Sequence, residues 1–195
     1  MALRLILASS SPRRKELLAR FITDFEVIAS DVDETINSES PPEQEIKRLA
    51  RLKALCVAQK HTDALVIGAD TMVLTDGGKL LSKPRDSEDA LKMLLSLSGK
   101  KHEVITAVSI ILQNMIDDSF SVSTEVFFTN ISEEEAQNYI ATGEPFDKAG
   151  AYAIQEKGAF FVERINGDYD NVVGLPAGAL MRRLKELKLL ENVFS

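Results

Sequence analysis

The sequence offers a single cysteine, Cys56, in 195 residues. That excludes an internal disulfide framework and suits a reducing compartment. Histidine is nearly as scarce: with only His61 and His102, a Cys/His zinc site has no donor set to draw on. A metal, if used, would be a hard ion such as Mg²⁺ or Mn²⁺ held by carboxylates. No apolar run is long enough to cross a bilayer, and the N-terminal apolar stretch is short and lacks a cleavage-like signal, so the expected location is cytoplasmic. Low-complexity tracts and internal repeats are missing too. Positive charge is in deficit: 23 Lys and Arg against 30 Asp and Glu give a net charge of −7. A broad basic surface for nucleic-acid polymers is therefore not expected. An anion would need a local basic pocket working against the overall field, which favours a small ligand. What remains, 45% hydrophobic and 27% charged, describes an ordinary chain, long enough for one α/β domain or two small lobes.

The most informative stretch comes first. Leu5–Ala8 is apolar enough for a buried strand, and it runs into Ser9, Ser10, Ser11 and Pro12. This predicts a strand, a tight loop and a helix, with Ser11 as N-cap and Pro12 at the first helical position. Arg13, Arg14 and Lys15 then place three positive charges on a first turn whose dipole already favours anions. Serine hydroxyls, free backbone N–H groups and arginine forks together suit a polyphosphate. A plain capped helix with solvated basic residues would read the same way, so later residues have to decide.

Two of them bear on the question. In a helix predicted over roughly 43–60, Ile46, Leu49, Ala50, Cys56 and Val57 share one arc at a 3.6-residue period, and Lys53 falls inside it. Lys47, Arg48 and Arg51 lie outside it, as solvated charges would. Lys53 must either snorkel to the edge or meet an acid or a phosphate, because an unpaired buried ammonium is too costly. The second is Asp70, set in Ala64–Leu74, an apolar run expected to be a central strand covered on both faces. A carboxylate there must be hydrogen-bonded, paired with a cation or bound to a metal, which makes Asp70 the leading catalytic candidate. Gly68, two residues earlier, permits a bend or a close approach by another backbone or a ligand.

Elsewhere the chain reads mostly as scaffold. Phe25–Ala29 predicts a second strand opening into the acidic loop Ser30–Thr35. Asp76-Gly77-Gly78 predicts a hairpin turn returning through Lys79–Ser82, with Lys83 at its end. A helix capped by Ser87 is expected over 87–98, and an antiparallel pair over Val104–Leu112 and Ser119–Phe128. Ser132 and Glu135 form a capping box for another helix. Asp147–Gln155 is rich in Gly and Ala, which suits either a ligand against the backbone or tight packing. A strand is expected around Phe160–Ile165, a turn at Asn166–Asp168, and a C-terminal helix from Pro176.

In combination, Ser9-Ser10-Ser11-Pro12-Arg13-Arg14, Asp33-Glu34, Lys53, Gly68-Ala69-Asp70-Thr71, Ser82-Lys83-Pro84, Asp147–Tyr152, Asn166–Tyr169 and Gly174-Leu175-Pro176 resemble the Maf family of nucleoside triphosphate pyrophosphatases. The match spans essentially the whole chain. The resemblance implies a single domain over 1–195 with two lobes. Its fold would be α/β, an elongated, bent mixed sheet with flanking helices forming a central cleft, similar to the inosine triphosphate pyrophosphatases. It also implies cleavage of a nucleoside triphosphate between the α- and β-phosphates. On this basis Asp70 activates water, Ser10, Arg13, Arg14, Lys53 and Lys83 hold phosphates, and Glu34 helps Asp70 to place a divalent cation, Mg²⁺ or Mn²⁺. Arg13, Thr71 and Gln155 map to the positions that sort base preference, and Ala151–Gln155 looks like the branch that takes dTTP and UTP. The alternative branch takes 7-methyl-GTP. A homodimer is compatible with the sequence, and no pattern in it decides the matter.

The residues also speak to mechanism without the resemblance. Phosphoryl chemistry asks mainly for positioning and charge stabilisation, which arginines, lysines and a helix N-terminus can supply. The Gly-x-x-x-x-Gly-Lys-Ser/Thr loop of phosphotransferases is absent. A non-catalytic nucleotide-binding regulator, for instance of cell division, would use the same basic residues. It would have little reason to bury a carboxylate beside phosphates.

Overall fold

The computed structural model describes residues 3–37 and 40–193. The first apolar run forms β1 (Arg4–Ala8), buried from Leu5 onward. Ser11 caps α1 (Pro12–Ala19), its side chain accepting from the Arg14 N–H, and Pro12 stands in the first turn as expected. The second strand is shorter than its pattern suggested: β2 keeps only Glu26–Val27, both exposed, at the sheet edge. α2 (Pro42–Ala58) starts on proline with Glu43 and Glu45 in its first turn. It buries Ile46, Leu49 and Val57, each stabilising by about 1.5–3 kcal/mol relative to exposure.

The long apolar run becomes β3 (Ala64–Thr75), which pairs parallel to β1 from Arg4–Ala64 to Ala8–Gly68. The hairpin returns as β4 (Leu80–Leu81), antiparallel to β3 with Val73 opposite Leu81. α3 (Ser87–Leu97) is capped by Asp86 rather than Ser87: the Asp86 side chain accepts from the Asp89 N–H, and Ser87 is the first helical residue. Residues 113–115 join β5 (Lys101–Leu112) to β6 (Ile116–Phe128), with Asn114 at φ +61° in the turn. So short a connection permits only an antiparallel pair. α4 (Glu133–Ile140) carries the full Ser132–Glu135 capping box.

Phe160 and Phe161 are not strand. They end a 3₁₀ segment, Lys157–Phe161, and β7 begins at Val162 and runs to Asn166. Among the described residues, three helices follow: α5 (Tyr169–Val173), α6 (Ala177–Glu186) and α7 (Leu190–Val193). Among the described residues the sheet has seven strands in the order β2-β1-β3-β5-β6-β7, with β4 paired to β3. It is therefore mixed. Among the described residues, no helix is long and apolar enough to cross a membrane.

The chain divides into two compact units. One comprises Met1–Asp70, Thr106–Val122 and Gly174–Ser195; the other comprises Thr71–Ile105 and Ser123–Val173. In the first, Ile6, Ala8 and Val66 of the sheet pack with Ala54 and Val57 of α2. In the second, Leu94, Val104, Val126, Phe128, Tyr139, Tyr152 and Phe161 share a core. His102 is embedded there, 1% exposed, its Nε2 2.8 Å from the Tyr152 hydroxyl and its ring edge-to-face with Phe128 at 4.8 Å. Burial pushes its pKa down to about 4. Gly150 decides between the two uses considered for the Gly/Ala-rich segment. Its φ is +70°, and an added Cβ would lie 3.0–3.2 Å from Val73, so there the small residue serves packing.

Candidate active site

The site is set by how closely α2 lies on β3. A Cβ on Gly68 would stand 2.5 Å from the Ala50 carbonyl oxygen and 2.7 Å from the Ala54 nitrogen. Only glycine lets the helix backbone come this near. Asp70 is two residues further along the strand, so it points to the same face as Gly68, toward α2. Lys53 immediately precedes Ala54 and meets it there. The Lys53 Nζ donates to Asp70 Oδ1 at 2.5 Å and stands 2.9 Å from Glu34 Oε2. Lys53 and Asp70 are buried, while the Glu34 side chain is 48% exposed. The lysine on the apolar stripe thus has its acid, and has two. Dehydrating the ammonium would cost several kcal/mol alone; two carboxylates at hydrogen-bond distance offset that cost.

The N-terminus of α1 contributes the cationic side. Its first turn contains no acid. Buried Ser9 accepts from the Ser11 N–H through its Oγ at 3.1 Å, which fixes the loop, and Ser10 is exposed. Arg14 donates from Nε to the Gly174 carbonyl at 2.8 Å, so the C-terminal Gly-Leu-Pro segment steadies it. Burial lowers the Arg14 guanidinium from its ordinary value. The charges of Asp70 and Glu34 oppose that shift, and Arg13 adds to it. Arg13, Arg14, Lys53, Glu34 and Asp70 therefore share one electrostatic neighbourhood in the first unit, three cations against two carboxylates.

The other candidates belong to the second unit. Thr71 follows Asp70 on β3 and is half-buried. Lys83 is exposed two residues beyond the last paired residue of β4, and Gln155 is exposed in the turn after Ile154. Arg48 and Arg51 are exposed, as the pattern predicts, and each also has a partner. Arg51 pairs with Asp117, and Arg48 grips Glu45, whose carboxylate is 2% exposed. Nothing in the local pattern marks Glu45 out, because a first-turn acid is ordinary helix chemistry.

Asp70 and Glu34 present hard oxygen donors on either side of one ammonium, a donor set suited to Mg²⁺ or Mn²⁺. Among the described residues, no group of three or more His, Cys, Asp or Glu side chains forms a metal cage. A divalent ion that takes one or two carboxylates and completes its shell with water and phosphate oxygens needs none. The residues fit such an ion.

The model of the family described as Maf-like protein matches residues 4–187. This chain belongs to the Maf family. A Maf relative from Bacillus velezensis named dTTP/UTP pyrophosphatase is 51% identical over 97% of this chain and 99% of its own. Relatives of the same name from Bacillus cytotoxicus and a Geobacillus species are each 50% identical, covering 94% of this chain and 95% and 98% of theirs. Among solved structures, a HAM1 protein from Coxiella burnetii superimposes with a TM-score of 0.51 at 15% identity, over 95% of this chain and 98% of that one. The last likeness concerns the fold alone and agrees with the mixed α/β architecture expected of a Maf protein.

Proposed function

We propose that this protein hydrolyses dTTP and UTP to the nucleoside monophosphate and pyrophosphate. The observation that carries the reading is the buried Asp70 carboxylate held by the same ammonium as Glu34, at 2.5 and 2.9 Å, beside the Arg14 guanidinium. The substrate choice is supported by the names of relatives that share about half of its residues.

In this reading Asp70 orients a water and accepts its proton as the water oxygen attacks the α-phosphorus. The bond from that phosphorus to the α–β bridging oxygen breaks, and pyrophosphate leaves with the bonding electrons. Lys53 holds Asp70 in place. Ser10, Arg13, Arg14 and Lys83 bind phosphate oxygens, and the N-terminus of α1 adds N–H groups at the developing charge. Asp70 and Glu34 would hold a divalent cation, which would supply neutralisation of phosphate charge and acidification of water. Arg13, Thr71 and Gln155 select the base.

The test is pyrophosphate release by the purified protein with Mg²⁺ or Mn²⁺ from dTTP, UTP, CTP, ATP and 7-methyl-GTP, with Asp70→Asn as control. Turnover of dTTP and UTP that vanishes in the mutant is expected. Preference for 7-methyl-GTP would overturn the role given to Thr71 and Gln155. Near-full turnover by Asp70→Asn would remove Asp70 as base. Binding of nucleotide without any release would make the protein a regulator.

A further inference from the structure

We infer that Glu45 and Arg48 are positioning residues, which clamp the segment carrying Glu34 onto α2 so that its carboxylate reaches Lys53 and Asp70. The inference rests on the reading of Asp70 and Glu34 as the working carboxylates.

Glu34 stands in a stretch, 31–37, without helix or strand, and its side chain is 48% exposed, so burial does not hold it. What holds it follows immediately in sequence. Asp33 Oδ1 accepts from the Thr35 N–H at 2.9 Å and from its hydroxyl at 2.5 Å, closing a local turn around Glu34. Two groups of α2 then grip the backbone just beyond. Arg48 donates to the Thr35 carbonyl at 2.9 Å, and Glu45 Oε1 accepts from the Asn37 N–H at 2.8 Å. The two are locked to each other, Arg48 donating to both Glu45 oxygens at 2.6 and 2.8 Å.

An acid needed only to complement the helix dipole would stay in water, yet Glu45 is 2% exposed. Burying a carboxylate costs free energy unless its oxygens are satisfied, and here a guanidinium and a backbone N–H satisfy them. Arg48's hydrogen bonds hold the Glu45 carboxyl below its ordinary range, so it stays ionised. One helix thus supplies both Lys53 and the clamp for Glu34, which fixes the two partners of the ion cluster in a common frame. Positioning of this kind matters because misplacement by about 1 Å is enough to cost roughly 100-fold in rate.

The test uses Arg48→Ala and Glu45→Gln, each alone and combined with Glu34→Gln, with two readouts. The first is hydrogen exchange of the Asn37 amide in nucleotide-free protein. The second is kcat and KM for dTTP. On its own, Arg48→Ala is expected to speed Asn37 exchange roughly tenfold or more and to lower kcat about tenfold, with KM nearly unchanged. In the Glu34→Gln background the same substitution should lower kcat less than about twofold, because residues acting through Glu34 have nothing left to position. Glu45→Gln keeps the side chain's shape but gives up the charge and one of the two oxygens that Arg48 and the Asn37 N–H share, so it carries the same comparison if Arg48→Ala does not fold. An undiminished loss in the Glu34→Gln background, or wild-type Asn37 exchange in both variants, would overturn the inference. Should Asp70→Asn and Glu34→Gln both keep full turnover, the reading of the carboxylates falls and the positioning role falls with it. Additive losses with an inactive Asp70→Asn would overturn the positioning role alone.

Discussion

Gly68→Ala should be damaging out of proportion to one methyl group. The added Cβ would meet the Ala50 carbonyl oxygen at 2.5 Å, the Ala54 nitrogen at 2.7 Å and the Ala54 Cβ at 2.9 Å. These are backbone or near-backbone atoms on two successive turns of α2, and no side chain can rotate away to relieve them. The helix must retreat from β3 by about 0.5–1 Å to restore ordinary contact distances. Overpacking of this kind costs about 1–3 kcal/mol, which for a chain of this size lowers the thermal midpoint by about 2–12 °C. Lys53 is carried on the retreating turn, so its 2.5 Å bond to Asp70 would lengthen to about 3.0–3.5 Å and weaken, most at the larger shift. A displacement near 1 Å predicts a kcat loss approaching 100-fold. Gly77→Ala serves as control, since its Cβ would find only the Thr75 hydroxyl, at 4.0 Å. Thermal unfolding and pyrophosphate release, run on both variants, make the comparison. A Gly68→Ala protein with the midpoint and turnover of the Gly77→Ala control would refute the claim that close approach of α2 sets the site.

Lys53→Met leaves two carboxylates beside each other without their cation and should destabilise by about 3–5 kcal/mol, measured by urea unfolding; adding Asp70→Leu should recover most of that loss. His102 makes stability depend on acid. Its pKa falls from 6.5 to about 4 on burial, so between those values the unfolded chain binds a proton that the folded one does not. The stabilisation is complete above about pH 6.5 and is lost as pH falls through about 4, for a total of about 3 kcal/mol. His102→Gln should flatten the unfolding free energy between pH 4 and 6.5, and an unchanged slope would count against a neutral buried imidazole.

Several features were legible in the chain because their causes are local. Ser132 and Glu135 cap each other across three residues, and Ser11 and Pro12 start α1 by the same kind of short-range chemistry. Asp70 declared itself by being a carboxylate inside an apolar run, and Lys53 by interrupting an apolar stripe; each implied a partner by the cost of burying charge alone. Two local readings erred. Ser87 and Asp86 are both good caps, and the backbone places Asp86 at the non-helical position. Phe160 and Phe161 have strand propensity, yet the chain turns through them as 3₁₀ before pairing at Val162.

Hydrophobic pattern, capping chemistry and the cost of isolated charge are properties of a residue and its near neighbours, so the sequence by itself determined where most strands lie (though not the bounds of β2 and β7), most helix starts and the existence of a charged site at Asp70 and Lys53. Which groups complete that site depends on contacts between residues far apart in the chain, and only the tertiary structure decided those. Glu34 lies 19 positions before Lys53 and joins it from a loop with no regular structure; Arg14 reaches Gly174, 160 residues away. Arg48 and Arg51 are solvated charges as the pattern implied, but only the fold brings them the Thr35 carbonyl and Asp117 as partners. Gly68 offered space for a bend, a ligand or another backbone, and the packing of α2 chose the last.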